Sequence, residues 1–317
     1  MSRQITMVAL AREYLAHRRS LGFDLKAAGT VLLDFARFAD RTRHRGPLTT
    51  ELILRWATRS KRHSRRYQME RLSIVRGFAR HMAARDGQTK VPDMRLLDGG
   101  HRRQQPHIYT DKQLWELLEA AAKLSTAYPL RPYTYTTLLG LLASTGLRIS
   151  EALGLRKDDV DLAGGVLHIR QTKFRKERLV PMHPSVMRAM RSYADRQDGN
   201  RSSRSESAFF VGRRGRPLPY TTVRITFRRL VTKLGWRSNG TLPRPRIHDL
   251  RHSFACRRML RWYRQGVDVD HAITSLSTYL GHGKVTDTYW YLTGTAELLS
   301  IAGGRFERFA SRERGRQ

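Results

Sequence analysis

A chain of 317 residues with a hydrophobic fraction of 40% is long enough for two domains, each with its own core, and too apolar for a disordered tail. Sixty Lys and Arg against twenty-seven Asp and Glu leave a formal charge of +33, which repels itself in the folded state and points to a polyanionic partner, nucleic acid before an anionic membrane surface. The lone Cys256 excludes an internal disulfide and a cysteine-based zinc site, and no apolar run reaches the ~18 residues of a bilayer-spanning helix. No apolar run of signal-peptide length precedes Arg12, so a cytoplasmic protein working on DNA or RNA is expected.

In chain order, residues 5–20 carry apolar positions at helical spacing and Gly22 closes the segment. A second helix is expected at 26–41, with Val31, Leu32, Phe35 and Phe38 on one face. Thr49, Thr50 and Glu51 start a third, reaching about Arg59. Ser64 is the expected N-cap of a long fourth helix to about Arg85, apolar at Leu72, Val75, Phe78 and Met82. Its arginines, Arg65, Arg66, Arg71, Arg76 and Arg80, have few acids interleaved. Singly they read as solvated surface; together they suit a helix lying along a nucleic-acid backbone. Residues 1–90 thus read as a basic helical DNA-binding domain.

Periodicity breaks between Lys90 and Pro106, where glycines, prolines and basic residues suggest an interdomain linker over 91–107. Thr110-Asp111 opens the next helix, and residues 134–146 give a mostly apolar helix expected to form the core of a second domain, 108–294. That helix runs into S-T-G-L-R-I-S-E at 144–151, where Gly146 ends it, Arg148 sits in the turn, and Glu151 is near enough to buttress the guanidinium. Strand-like runs at 166–171 and 178–181 flank a basic turn at 172–177, a hairpin with Lys173 near its tip and Arg175 and Lys176 beside it. A third short strand is expected at 208–211, polar loops at 196–206 and 236–246, and helices at 220–234, 250–265 and 269–280. Residues 295–317 form a tail containing a glycine pair.

The chemistry concentrates in R-I-H-D-L-R-H-S-F-A (246–255), L-G-H (280–282) and T-D-T-Y-W-Y-L (286–292). Arginine, histidine and a tyrosine hydroxyl, with no carboxylate cluster, suit phosphodiester chemistry without a metal. His248 and His252 have the spacing of two metal ligands, but no glutamate of a metalloprotease motif lies between them, so no metal and no cofactor is expected. Each residue also has a plain reading: Arg148 solvated, Lys173 a charged hairpin tip, His282 a helix cap, Tyr291 core.

Taken together, Arg148, Lys173, His248, Arg251, His282 and Tyr291 resemble, in order and spacing, the tyrosine recombinases, the phage integrase group of site-specific recombinases. The resemblance covers residues 108 to about 300. It rests on T-G-L-R-I-S-E, on T-K-F-R-K-E-R-L-V-P, on H-D-L-R-H-S-F-A and on L-G-H. The nucleophile of that family lies nine residues after the last histidine, which selects Tyr291 over Tyr289. The interval from Arg251 to His282 is longer than in the common short integrases. The resemblance implies a mainly α fold with a small antiparallel β-sheet, and a helical core-binding domain joined to a mixed α/β catalytic domain in a C-shaped clamp on DNA. It further implies a homotetramer on two double-stranded DNA sites, sister recombinases as possible partners, and a tail that contacts a neighbouring protomer.

Physical chemistry assigns roles within this set. Two forked guanidiniums, Arg148 and Arg251, match the charge that builds on a phosphate under attack. Lys173 on a hairpin is the expected general acid for the leaving 5′-oxygen. Tyr291 needs a cationic field and a proton acceptor, assigned to His248, while His282 hydrogen-bonds the phosphate; Glu151 and Asp249 support them. The expected activity is cutting and rejoining of DNA through a covalent 3′-phosphotyrosine, for a mobile element. A topoisomerase of type IB shares this logic but not the spacing and two-domain layout, and a silent DNA-binding protein would leave the six residues a coincidence.

Overall fold

The computed structural model describes residues 5–97, 105–125, 128–170, 177–199, 207–236, 244–289 and 291, with 300 and 304, and the structural statements below concern those residues. The chain divides into two compact units, residues 1–103 and 104–317.

The first unit holds helices α1 (Met7–Ser20), α2 (Lys26–Arg41), α3 (Thr50–Thr58) and α4 (Arg65–Asp86). Three starts are fixed by hydroxyls: Thr6, Thr49 and Ser64 accept from the amides of Ala9, Leu52 and Tyr67. Asp40 of α2 also accepts from the amides of Met7 and Val8 at 2.8 and 3.1 Å, so a neighbouring helix caps α1. Leu32, Phe35, Ile53, Trp56, Leu72, Val75 and Phe78 fill the core, with Phe35 edge-on to Trp56. Residues 91–97, expected as linker, belong to this unit: Leu97 is buried in its core, and Arg76 Nε donates to Pro92 O at 2.8 Å.

Arg71 departs from expectation. It was grouped with the phosphate contacts, yet it is 3% exposed, stacks 3.7 Å from the Trp56 ring and donates to Trp56 O at 3.0 Å, with Asp34 at 3.6 Å. Its spacing to Val75, Phe78 and Met82 puts it on the apolar face of α4, so it is part of the core. Arg76 is half-buried, while Arg65, Arg66 and Arg80 are exposed.

The second unit is built around α6 (Arg131–Thr145), apolar on all sides and therefore enclosed; Tyr135, Leu138, Leu139, Leu141 and Leu142 are each about 1% exposed or less. It packs against α5 (Asp111–Ala122), α8 (Pro184–Asp198) and α10 (Ile247–Arg264). The remaining helices are α7 (Ile149–Leu153), α9 (Tyr220–Lys233), α11 (Val269–Leu280) and the single turn α12 (Thr286–Tyr289). An antiparallel sheet runs β1 (Val160–Asp161), β2 (Val166–Ile169), β3 (Arg178–Pro181), with Leu167 paired to Val180 and both buried. Its third strand is β1 and not 208–211: the apolar run Phe209–Val211 is buried but makes only isolated bridges, Arg156 to Ala208 and Val211 to Pro217. The hairpin turn 171–176 lies outside the described residues, and with it Lys173, Arg175 and Lys176. So does the tail 295–317 apart from residues 300 and 304, and nothing about its expected protomer contact follows from the structure. No helix among the described residues is long and apolar enough to cross a membrane.

Candidate active site

Two glycine-terminated helix ends build the floor of the site. Gly146, just after α6, takes φ +64°, and a Cβ there would stand 2.5 Å from Phe254 Cδ1. Only glycine lets α10 pack so close. Gly281, just after α11, repeats the device at φ +67°, where a Cβ would meet Arg178 Nη1 at 2.7 Å. The carbonyls exposed at these ends become arginine acceptors. Arg251 donates through Nη1 to Gly146 O at 2.8 Å and through Nη2 to Leu280 O at 2.7 Å. Arg148 donates through Nη2 to Gly281 O at 3.0 Å. The T-G-L-R and L-G-H motifs are thus physically one motif: each glycine presents a carbonyl to an arginine from elsewhere in the chain.

Arg148 precedes α7 as its N-cap, and Glu151 in the first turn accepts from both the Arg148 amide and its Nη1, each at 2.9 Å. Glu151 is also gripped by Arg178 of β3, which donates to both carboxylate oxygens at 3.1 and 2.9 Å and through Nε to Tyr279 O at 2.7 Å. Burial alone would raise the Glu151 pKa; Arg178 first and then Arg148 overcome this and hold it below the usual carboxylate range. Sequence reading missed Arg178, which lies 27 positions from Glu151; its signal was a lone arginine opening an otherwise apolar strand.

Tyr291 is 3% exposed, with its hydroxyl 3.5 Å from His282 Nε2 and in the positive field of Arg251. Tyr289, the competing tyrosine, is 44% exposed at the end of α12. Burial raises the Tyr291 pKa and the nearby Arg251 charge opposes it, so the phenol is protonated at neutral pH and, as a nucleophile, would need an acceptor. His282 is placed for that role: its Nδ1 lies 2.6 Å from the buried Thr288 Oγ1, and burial with Arg251 and Arg148 drives its pKa down to about 4, which keeps the ring neutral at pH 7 but makes it a weak base. Of the two tautomers, the one whose Nδ1–H donates to Thr288 Oγ1 leaves Nε2 as an acceptor facing the phenol.

His248, expected beside Tyr291, sits on the first turn of α10 with its ring against His252 at 4.9 Å; His252 in turn packs edge-on against Tyr291 at 5.2 Å. The structure thus brings His282, and not His248, to the phenol oxygen. Burial and Arg251 also hold His248 below the ordinary imidazole range. Asp249 is fully buried and accepts from the Arg246 amide and Nη2 at 2.8 Å each, which fixes the start of the helix that carries His248 and Arg251. The entry to this unit is fastened to the same helix: the Tyr109 amide donates to Ser253 Oγ and its hydroxyl to Arg246 O. Arg148, Arg251, His248, His282 and Tyr291 therefore share one locale, with Glu151 and Asp249 behind them. Their guanidiniums carry more N–H bonds than these internal acceptors take up, and so can hold a further anionic oxygen.

Comparison with known proteins agrees with this geometry. Residues 108–297 match the family model described as the phage integrase family. The integrase/recombinase-type protein y4rB of Sinorhizobium fredii is 41% identical over 303 residues, 94% of this chain and 96% of its own. The tyrosine recombinase XerC of Chlamydia trachomatis is 29% identical over 229 residues, 72% of this chain and 67% of its own. Among solved structures, the Tn1549 transposon integrase in complex with a circular intermediate DNA shares the fold with a TM-score of 0.69 at 19% identity, over 96% of this chain and all of that one. With its second unit matched along nearly its whole length and a relative this similar over nearly the whole chain, the protein belongs to the phage integrase family of tyrosine recombinases.

Proposed function

We propose that the protein is a site-specific DNA recombinase that cuts and rejoins double-stranded DNA through a 3′-phosphotyrosine formed by Tyr291. The observation that carries this reading is the Tyr291 phenol set 3.5 Å from the His282 imidazole, in the positive field of the buried Arg251. In the cleavage step the Tyr291 oxygen attacks the scissile phosphorus, and its proton passes to His282 Nε2. Arg148 and Arg251 balance the charge on the non-bridging oxygens. The bond from phosphorus to the 5′-oxygen breaks, and the Lys173 ammonium gives that oxygen its proton. The phosphotyrosine keeps the energy of the broken bond, so a different 5′-hydroxyl can reverse the step without ATP. His248 acts as a phosphate ligand in this scheme, an exchange of roles with His282 relative to the sequence-based expectation.

The exposed arginines Arg65, Arg66 and Arg80 of α4, with Arg175 and Lys176 of the hairpin, supply phosphate contacts that position the duplex. Likeness to a transposon integrase bound to a circular intermediate DNA supports a mobile element as the context; a homotetramer on two sites, in the cytoplasm, is the assembly this reading expects. The test is Tyr291→Phe on a nicked suicide substrate: covalent protein–DNA adduct disappears, while duplex binding stays within a few-fold. An adduct that persists removes Tyr291 from its role. Adduct formation without exchange between two duplexes would indicate topoisomerase-type action instead.

A further inference from the structure

We infer that Arg178 is a positioning residue whose charge offsets Glu151, so that the carboxylate can aim Arg148 without cancelling the positive charge Arg148 presents to the scissile phosphate. This rests on the proposed reading that Arg148 binds that phosphate.

The geometry carries the inference in three steps. First, Glu151 is fully engaged: Oε1 accepts from Arg148 Nη1 and Arg178 Nη1, and Oε2 from the Arg148 amide and Arg178 Nη2, all between 2.9 and 3.1 Å. A buried carboxylate with every lone-pair direction taken cannot rotate, and neither can the guanidinium it holds.

Second, the charges do not cancel. Arg148 with Glu151 alone would form a neutral pair, whose field at a bound phosphate would be weak. Adding Arg178 makes the trio net positive.

Third, the two arginines are not equivalent. The Arg148 side chain is 27% exposed and lines an open cleft of about 570 Å³ together with Arg156, His168 and Arg170. The Arg178 side chain is 11% exposed, does not line that cleft, and spends Nε on Tyr279 O at 2.7 Å. Arg178 is therefore the more enclosed of the two, with Nε committed inside the fold. Being on β3, it also ties the strand that leads out of the Lys173 turn to the end of α11, where Gly281 leaves it room.

A lysine at position 178 would keep the charge and lose the fork; a glutamine would lose the charge. The test is single-turnover adduct formation by the full chain on a nicked suicide duplex, with duplex affinity measured alongside. Arg178→Gln is expected to slow cleavage roughly ten- to a hundred-fold, the range seen for groups that orient residues at a reacting centre, with affinity nearly unchanged. Arg178→Lys should recover part of that loss. Removing both charges in Glu151→Gln with Arg178→Gln should cleave faster than Arg178→Gln alone. A substrate whose scissile phosphate is a neutral methylphosphonate should shrink the Arg178→Gln deficit, since less charge then needs balancing. Equal rates for the Lys and Gln variants, an undiminished deficit on the methylphosphonate, or a double variant slower than either single one would each overturn the proposal by reducing Arg178 to a structural clamp. Should Arg178→Gln fail to fold, the rates of the Lys and double variants decide alone. A wild-type chain that forms no adduct sinks the recombinase reading itself, whereas wild-type cleavage matched by Arg178→Gln sinks only the inference about Arg178.

Discussion

Arg71 in the first unit and Arg251 in the second are buried to the same degree, 3% and 2% exposed, yet their surroundings differ in kind. Arg71 lies flat on Trp56 with Asp34 at 3.6 Å, so its charge is answered within the fold. Arg251 is held by the carbonyls of Gly146 and Leu280, and among the described residues no carboxylate lies within ion-pair distance of it. Burying a charge is expensive, and burial pulls the pKa of both arginines down, that of Arg71 in spite of Asp34, which it shares with Arg59. The difference separates an arginine with a carboxylate inside the fold from one oriented by carbonyl dipoles alone, and the proposed reading gives the second its anion in the scissile phosphate.

The sharpest way to break that distinction is to remove each guanidinium in turn. Arg251→Gln should lower the rate of adduct formation by about 10²–10³, as removal of a fixed donor to a developing oxyanion does. Arg71→Gln should instead lower stability by roughly 1–3 kcal/mol, the penalty for stranding buried partners, with cleavage per folded molecule retained. Single-turnover cleavage alongside urea melts reads both; loss of cleavage in fully folded Arg71→Gln would erase the contrast.

A second pair of positions compares the same units through backbone alone. Gly87 after α4 and Gly146 after α6 share nearly the same left-handed φ, +63° and +64°. A Cβ at Gly87 meets nothing within 4 Å, while one at Gly146 collides with Phe254. Gly87→Ala should therefore cost only the left-handed strain, about 1–2 kcal/mol. Gly146→Ala should cost more and also slow cleavage, because it shifts the carbonyl that anchors Arg251. Equal melting shifts for the two variants would contradict the close approach of α10.

These contrasts also mark where the sequence was legible. Thr49, Ser64 and Thr110 announced their helices because an N-cap is a local bond, closed within three residues. The motifs were legible as a set through their resemblance to a family, which the comparisons show; the choice of Tyr291 over Tyr289 rests on spacing and stays a proposal. Arg71 was misplaced although its spacing to Val75 and Phe78 carried the answer, since the charge of the helix outweighed its period. Helix α8 was overlooked because its apolar positions, Val186, Met187, Met190 and Tyr193, are diluted by arginines and only the last two are buried. Residues 208–211 read as a strand because a buried apolar run looks alike whether or not it joins a sheet, whereas β1, two residues long, is too short to show alternation. The Arg178–Glu151 clamp has no local signature and exists only once distant segments meet, whereas His282 and Tyr291 are nine residues apart and only the approach of their side chains was hidden.

A smaller effect follows from His282. An ordinary imidazole titrates near 6.5, and burial with Arg251 and Arg148 takes His282 to about 4. Between those values the unfolded chain binds a proton that the folded chain refuses, so stability falls as pH is lowered from about 6.5 toward 4 and is flat on this account above 6.5. His282→Gln should flatten part of that slope in thermal melts, and an unchanged slope would remove His282 as its source. Smallest of all is the surface contribution from the first unit. Arg80→Ala should weaken duplex binding similarly across sequences and reduce the slope of log K against log salt by about one, as loss of a single phosphate contact does. The core residue Arg71 should leave that slope unchanged when replaced.

The most direct measurement is to locate the covalent bond. Adduct trapped on a nicked suicide duplex, digested and fragmented by mass spectrometry, should carry its nucleotide on Tyr291, the tyrosine whose hydroxyl lies 3.5 Å from His282 Nε2. A nucleotide on the exposed Tyr289, or no covalent adduct at all, would contradict the assignment of this site.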